Sequence, residues 1–203
     1  MKKDFNINAK TVYKGHLNVT YRGITAIKCP FDYVIYQMII NEIKPDLVIE
    51  IGGNKGGGAL YIADLLEIIG TGIVHTIDIR DDFDSLIKSH PRIKTFIKGY
   101  EDYDLENISN YKKILVIEDA SHQYEDCLNC LNKFSPIVTK GSYYIVEDGI
   151  IDKLGFTKSY KGGPKKAIKE FLKTSSAFII DEKWCNMFGE NATFNINGYL
   201  KRI

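Results

Sequence analysis

The stretch Val48-Ile49-Glu50-Ile51-Gly52-Gly53-Asn54-Lys55-Gly56-Gly57-Gly58 constrains this chain more than any other. An apolar, β-branched run holding one acid passes directly into a segment with five glycines in seven positions, Gly52 to Gly58. An ordinary strand-to-helix turn needs one or two glycines. A loop this bare lets main-chain N–H groups and a following helix N-terminus come close to a small polar ligand. The spacing contains neither the G-x-G-x-x-G of the dinucleotide folds nor the G-x-x-x-x-G-K-[ST] of the P-loop.

Strand and helix signals alternate from about residue 30 onward. Helices are expected at 31–43, 59–69, 81–89, 123–134 and 164–173, and strands at 47–51, 73–78, 93–98, 113–118 and 142–147. The tail differs: 177–181 and 194–202 read as strands with only a loop between them. Repeated βα units followed by such a pair predict an α/β fold, a doubly wound, Rossmann-like, seven-stranded sheet, mostly parallel with a C-terminal antiparallel strand. At 203 residues the chain reads as a single domain, 1–203, with residues 1–29 as an N-terminal arm.

Composition removes several function classes. Lysine plus arginine (27) nearly balances aspartate plus glutamate (26), so no global field points to nucleic acid or an anionic membrane. Two lysines near the start are followed by no apolar stretch, which argues against a signal peptide, and a cytoplasmic protein is expected. Cys127-Leu128-Asn129-Cys130 is formally C-x-x-C but falls inside a helical pattern rather than at a helix start. With no second pair among Cys29 and Cys185, these thiols are expected to pack rather than to bind metal.

Open α/β sheets bind ligands beyond the carboxyl ends of their strands. Here those ends carry acids: Glu50, then Asp78, then Glu118-Asp119, then Glu147-Asp148. Gly99-Tyr100-Glu101-Asp102 follows the third strand as a turn suited to one side of an adenine. Asp119, Glu147 and Asp148 should converge if the fourth and fifth strands are neighbours. Three converging carboxylates repel unless protonated or bridged by a cation, and hard oxygen ligands suit Mg²⁺, Ca²⁺ or Mn²⁺. The competing reading makes them caps of the next loop and helix. His122, three residues past Asp119, is placed to act as a general base at neutral pH.

These residues together resemble the cephalosporin hydroxylase family of class I S-adenosylmethionine (SAM)-dependent methyltransferases, related to the macrocin and mycinamicin sugar O-methyltransferases. The likeness runs from about Tyr21 to Ile203. Its anchors include Tyr21-Arg22-Gly23, Lys28-Cys29-Pro30-Phe31-Asp32, the glycine loop with its preceding strand, and Ile77-Asp78-Ile79-Arg80. Later come Asp119-Ala120-Ser121-His122, Gly141 through Asp148, and Asn197-Gly198-Tyr199-Leu200-Lys201-Arg202. The resemblance implies SAM contacts from Glu50, Gly52, Gly53, Gly56, Asp78, Ile79, Tyr100 and Asp119. It implies Mg²⁺ or another hard divalent cation on Asp119, Glu147 and Asp148, with His122 as catalytic base. Glu118 departs from the pattern, standing where the family usually has an apolar residue. The chain also looks short at its N-terminus, where relatives carry substrate-covering and oligomer-forming segments.

The function so implied is SAM- and Mg²⁺-dependent methylation of a hydroxyl on a sugar or glycosylated small molecule. The expected partners are a small-molecule or saccharide acceptor, with no nucleic acid and no membrane, and self-association as a homo-oligomer is left open. Two alternatives stand beside it: a dinucleotide-dependent oxidoreductase on a similar sheet, and a catalytically inactive SAM-binding subunit or regulator of a partner enzyme. Lys158, Tyr160 and Lys161 lie on a loop able to close over a polar acceptor.

Overall fold

The structure, a computed structural model, describes residues 7–203. Its centre is β3 (Leu47–Ile51), whose five side chains are all buried. β3 pairs in parallel with β4 (Ile73–Asp78) on one side and with β6 (Ile114–Glu118) on the other. Beyond β4 lies β5 (Ile93–Ile97), and beyond β6 lies β7 (Tyr143–Val146), both parallel to their neighbours. The sheet is completed by β8 (Phe178–Ile180) and β9 (Tyr199–Arg202), giving the order β5-β4-β3-β6-β7-β9-β8. β9 runs antiparallel to both β7 and β8, so the predicted seven-stranded, mostly parallel sheet with a C-terminal antiparallel strand is what forms.

The side-chain alternation of each strand feeds two cores. Val48, Leu115, Ile117, Tyr143 and Ile145 pack toward α2 (Pro30–Ile43) and α3 (Gly57–Ile69). Leu47, Ile49, Ile51, Val116, Tyr144 and Val146 pack toward α5 (Tyr124–Phe134) and α6 (Gly163–Thr174). Cys127 and Cys130 sit in this second core as free, fully buried thiols, as their helical context predicts. Burial pushes both thiols up, which keeps them un-ionised and inert.

Several boundaries differ from the sequence expectation. α3 begins at Gly57 rather than residue 59, because Gly56 takes a left-handed φ of 91° and serves as its N-cap. α4 (Ser85–Ser89) starts four residues later than expected, where the Asp84 side chain accepts from Leu86 N at 2.9 Å. The tail is not a bare loop between strands: α7 (Glu182–Cys185) intervenes, N-capped by Asp181. Residues 194–198 do not extend β9 but fold over the start of α2. The N-terminal arm holds α1 (Ala9–His16), closed by an Asn8–Thr11 capping box, and a small hairpin of β1 (Thr20–Tyr21) and β2 (Ile24–Thr25). Among the described residues no helix is long and apolar enough to cross a membrane.

Strand order reverses at β3, because the chain lays β4 and β5 to one side before returning to β6 and β7 on the other. This opens a crevice beyond the carboxyl ends of β3 and β6, and the ladder holds its walls in register. Asp119 N donates to Ile51 O at 2.8 Å, Gly52 N to Ile77 O at 2.8 Å, and Glu147 N to Glu118 O at 2.9 Å.

Candidate active site

The crevice is a cavity of about 520 Å³, within the usual range for a small-molecule site. Of the residues expected at a ligand, Glu50, Gly52, Gly53, Asp78, Ile79, Tyr100, Asp119, His122 and Asp148 line it. Gly56 and Glu147 do not. Gly56 turns toward Ile87 of α4, and Glu147 points behind the wall.

The glycine loop has a specific reason for its composition. Gly52 holds φ at 94°, and a Cβ there would overlap the backbone carbonyl of Asp119. Only glycine lets the ends of β3 and β6 approach this closely. Asp78 anchors the same loop: its Oδ2 accepts from Asn54 N at 2.8 Å, and its Oδ1 from Arg80 N at 3.1 Å. Glu50 lies beneath it, 2 % exposed, its Oε2 accepting from Thr76 Oγ1 at 2.7 Å. Burial pushes the Glu50 carboxyl up to about 7, against the pull of the Lys28 ammonium.

Across the crevice stands a cluster of charges. His122 Nε2 lies 3.2 Å from Asp148 Oδ2 and 3.7 Å from Asp119 Oδ1. One ligand atom from each of the three residues falls within 4.8 Å of the others. His122 and Asp148 both hold left-handed backbones, φ 56° and 57°, which turn their side chains inward from loops that follow different strands. Such conformations cost non-glycine residues on the order of 1 kcal/mol each and tend to persist where the surroundings require them.

Lys28, which the sequence does not mark as a site residue, is 3 % exposed and hydrogen-bonds the carboxylates of both Asp119 and Glu147. Glu147 also accepts from Tyr36 Oη at 2.8 Å through Oε1, the oxygen that meets Lys28. The convergence expected of Asp119, Glu147 and Asp148 is therefore divided. Asp119 and Asp148 share a wall with His122, while Glu147 joins Asp119 through a buried ammonium. Period-two alternation explains the split: Glu147 follows Ile145 onto the α2 side of the sheet. Burial alone would lower the Lys28 pKa, but Asp119, Glu147 and Glu50 outweigh it and hold the ammonium charged. One ammonium does not neutralise these acids: burial first, then repulsion from Asp148 on Asp119 and from Asp119 on Glu147, keeps both carboxyls above their ordinary range.

The arrangement fits a second cation. The carboxylates of Asp119 and Asp148 converge within reach of one ion, with the His122 imidazole beside them and acids nearby that a single ammonium leaves under-compensated. Burial works against a charged His122 ring, yet Asp148, Asp119, Glu118 and Glu147 together raise its pKa. The 158–161 loop docks beside this histidine. The Tyr160 ring stands edge-on to it with centroids 6.1 Å apart, and Tyr124 N donates to Tyr160 O at 3.2 Å.

A family model described as Rhamnosyl O-methyltransferase/CmcI matches residues 13–203. The chain belongs to this family. It is 30 % identical over 194 residues to a Rhamnosyl O-methyltransferase of Mycobacterium leprae, covering 90 % of this chain and 82 % of the relative. A protein of the same name from Mycobacterium tuberculosis is 31 % identical over 170 residues, covering 78 % and 69 %. Among solved structures, cmcI in a form described as Mg-SAM superposes with a TM-score of 0.69 at 21 % identity, covering 92 % of this chain and 77 % of that one. The last likeness bears on the fold, which is that of the class I methyltransferases.

Proposed function

We propose that this chain, a SAM-dependent O-methyltransferase by family, methylates a hydroxyl of a sugar unit in a saccharide or glycosylated small molecule, with a divalent cation in the site and His122 as general base. The observation that carries the reading is the meeting of Asp119, His122 and Asp148 at the mouth of the crevice walled by the glycine loop. The names of the mycobacterial relatives supply the sugar hydroxyl as the acceptor class.

The glycine loop, Asp78, Ile79 and Tyr100 would seat SAM, with Asp78 gripping ribose hydroxyls and Ile79, 74 % exposed at the rim, offering apolar surface to the adenine. Asp119 and Asp148 would hold the cation. Glu147 commits only Oε1 to Lys28 and Tyr36, which leaves Oε2 as a third acidic oxygen. When bound, Mg²⁺ or a similar ion supplies charge stabilisation for an acceptor oxygen as it loses its proton.

When bound, SAM would supply the methyl group to the acceptor oxygen and leave as S-adenosylhomocysteine. His122 Nε2 would take the hydroxyl proton as the methyl ether forms and return it to solvent. Much of the acceleration comes from positioning, which rigid loops anchored on strand ends provide. The test is transfer of labelled methyl from SAM to a rhamnoside acceptor, with Mg²⁺ and with EDTA. Failure of every sugar acceptor alongside intact SAM binding would remove the substrate assignment.

A further inference from the structure

His122 uses one ring nitrogen in the contacts above. Nε2 faces Asp119 and Asp148, whereas Nδ1 is buried and has no hydrogen-bond partner among the described residues. At the end of β6, Glu118 is fully buried on the α5 side of the sheet. Its Oε1 accepts from Ala120 N at 3.1 Å, and its Oε2 is buried without a partner among the described residues. The residues sharing its face of β6, Ile114 and Val116, are apolar, so packing alone gives no reason for an acid here. A buried polar atom left unmet is destabilising, so each calls for a partner. One is an imidazole nitrogen and the other a carboxyl oxygen, and the two side chains feel each other's charge.

The chemistry of the ring fixes which atom needs which partner. A neutral imidazole that takes a proton at Nε2 must carry its own hydrogen on Nδ1. That N–H requires an acceptor inside the protein. We propose that Glu118 is a positioning residue for His122, its Oε2 accepting the Nδ1–H hydrogen bond directly or through one buried water. With Asp119 and Asp148 taken up by the cation, this holds the ring in the tautomer whose Nε2 lone pair faces the acceptor. The inference rests on the reading of His122 as base. Two other groups feel the Glu118 charge, the Cys127 thiol and the Tyr144 hydroxyl, the latter also buried without a partner among the described residues.

The experiment is long-range ¹H–¹⁵N spectroscopy of the full chain with ¹⁵N-labelled histidine, in mildly alkaline buffer with Mg²⁺, the His122 signals being assigned by their loss in His122→Ala. His122 is expected as the Nδ1–H tautomer in the native chain and in Tyr144→Phe, and as the Nε2–H tautomer in Glu118→Leu. In methyl transfer, kcat of Glu118→Leu should fall about ten- to hundredfold, the range seen when an orienting partner of a site histidine is lost. KM for SAM and for acceptor should stay within about twofold. Glu118→Gln keeps the shape of the side chain and removes its charge. It offers one carbonyl oxygen to two donors, Ala120 N–H and His122 Nδ1–H, and its kcat should fall between the others. An Nε2–H tautomer in the native chain, or an unchanged spectrum and kcat in both Glu118 variants, would overturn the proposal. A native rate in His122→Ala, with the Nδ1–H signature present in the native chain, would instead overturn the base reading and leave the hydrogen bond standing.

Discussion

His122 and Asp148 face each other across the crevice with Nε2 and Oδ2 3.2 Å apart, each on a left-handed backbone at the end of a different loop. The pairing ties the proton-accepting group to an acid of the proposed cation site, so the two functions are separable only by choosing the variant with care. His122→Ala should lower kcat by about 10²–10⁴, the usual worth of a general base, while the SAM dissociation constant stays within a few-fold. Steady-state kinetics together with calorimetry check both halves.

The acids around His122 also set its working pH. They raise its pKa, and a protonated ring cannot accept the hydroxyl proton. Rate should therefore climb as pH rises through the titration of the ring. Saturating Mg²⁺, by neutralising Asp119 and Asp148, should move that climb to lower pH. The check is a pH–rate profile at limiting and saturating Mg²⁺. Coincident profiles would disconnect the ring from the cation.

Lys28 is the buried cation that pairs with both Asp119 and Glu147. Lys28→Met leaves these acids uncompensated, and removing one partner of such a buried arrangement typically costs about 3–5 kcal/mol. Because the proposed ion sits against the same acids, Mg²⁺ should restore part of the lost Tm in this variant and add less to the native chain. Thermal denaturation of both proteins in Mg²⁺ and in EDTA tests this, and an equal Mg²⁺ increment in the two would contradict it.

Gly52→Ala drives a methyl group into the Asp119 carbonyl at a φ of 94°. The strand ends must part, so SAM binding should weaken at least tenfold. Strain of this kind is on the order of 1–3 kcal/mol, which thermal denaturation would register. Calorimetric titration with SAM gives the binding half.

Asp32 offers a pH test away from the crevice. It is 2 % exposed and accepts from Thr193 Oγ1, from Tyr199 Oη at 2.9 Å and from Phe194 N at 3.1 Å. Burial pushes it up to about 7 despite those bonds, against about 3.9 for an unfolded aspartate. Between these values the folded chain binds more protons than the unfolded one. Its contribution is thus fully present below about pH 4 and is lost as pH rises toward 7. Urea unfolding at pH 5 and pH 8 should show a smaller difference for Asp32→Asn than for the native chain.

The central strands were legible because buried parallel strands write continuous apolar runs, and an acid closing such a run stands out. Asp119, His122 and Asp148 could be nominated on those grounds alone. Lys28 could not: its partners lie 91 and 119 residues away, and nothing in Lys28-Cys29-Pro30 says that the ammonium faces inward. The side to which Glu147 points was implicit in strand alternation but needed the true end of β7. α7 and the arm helix α1 were missed because four and eight residues are too few for a helical period to emerge. α3 was read short because its first turn is glycine, a poor helix former, here retained where a Cβ on Gly58 would meet the Glu50 carboxylate.

The most direct measurement follows labelled methyl from SAM to a rhamnoside with the native chain and with His122→Ala, each in Mg²⁺ and after EDTA. Transfer by the native chain is expected in Mg²⁺, with loss in EDTA, recovery on adding Mg²⁺ back, and near-background rates for His122→Ala throughout. Transfer at the native rate in EDTA, or by His122→Ala, would rule out a cation-dependent reaction with His122 as its base.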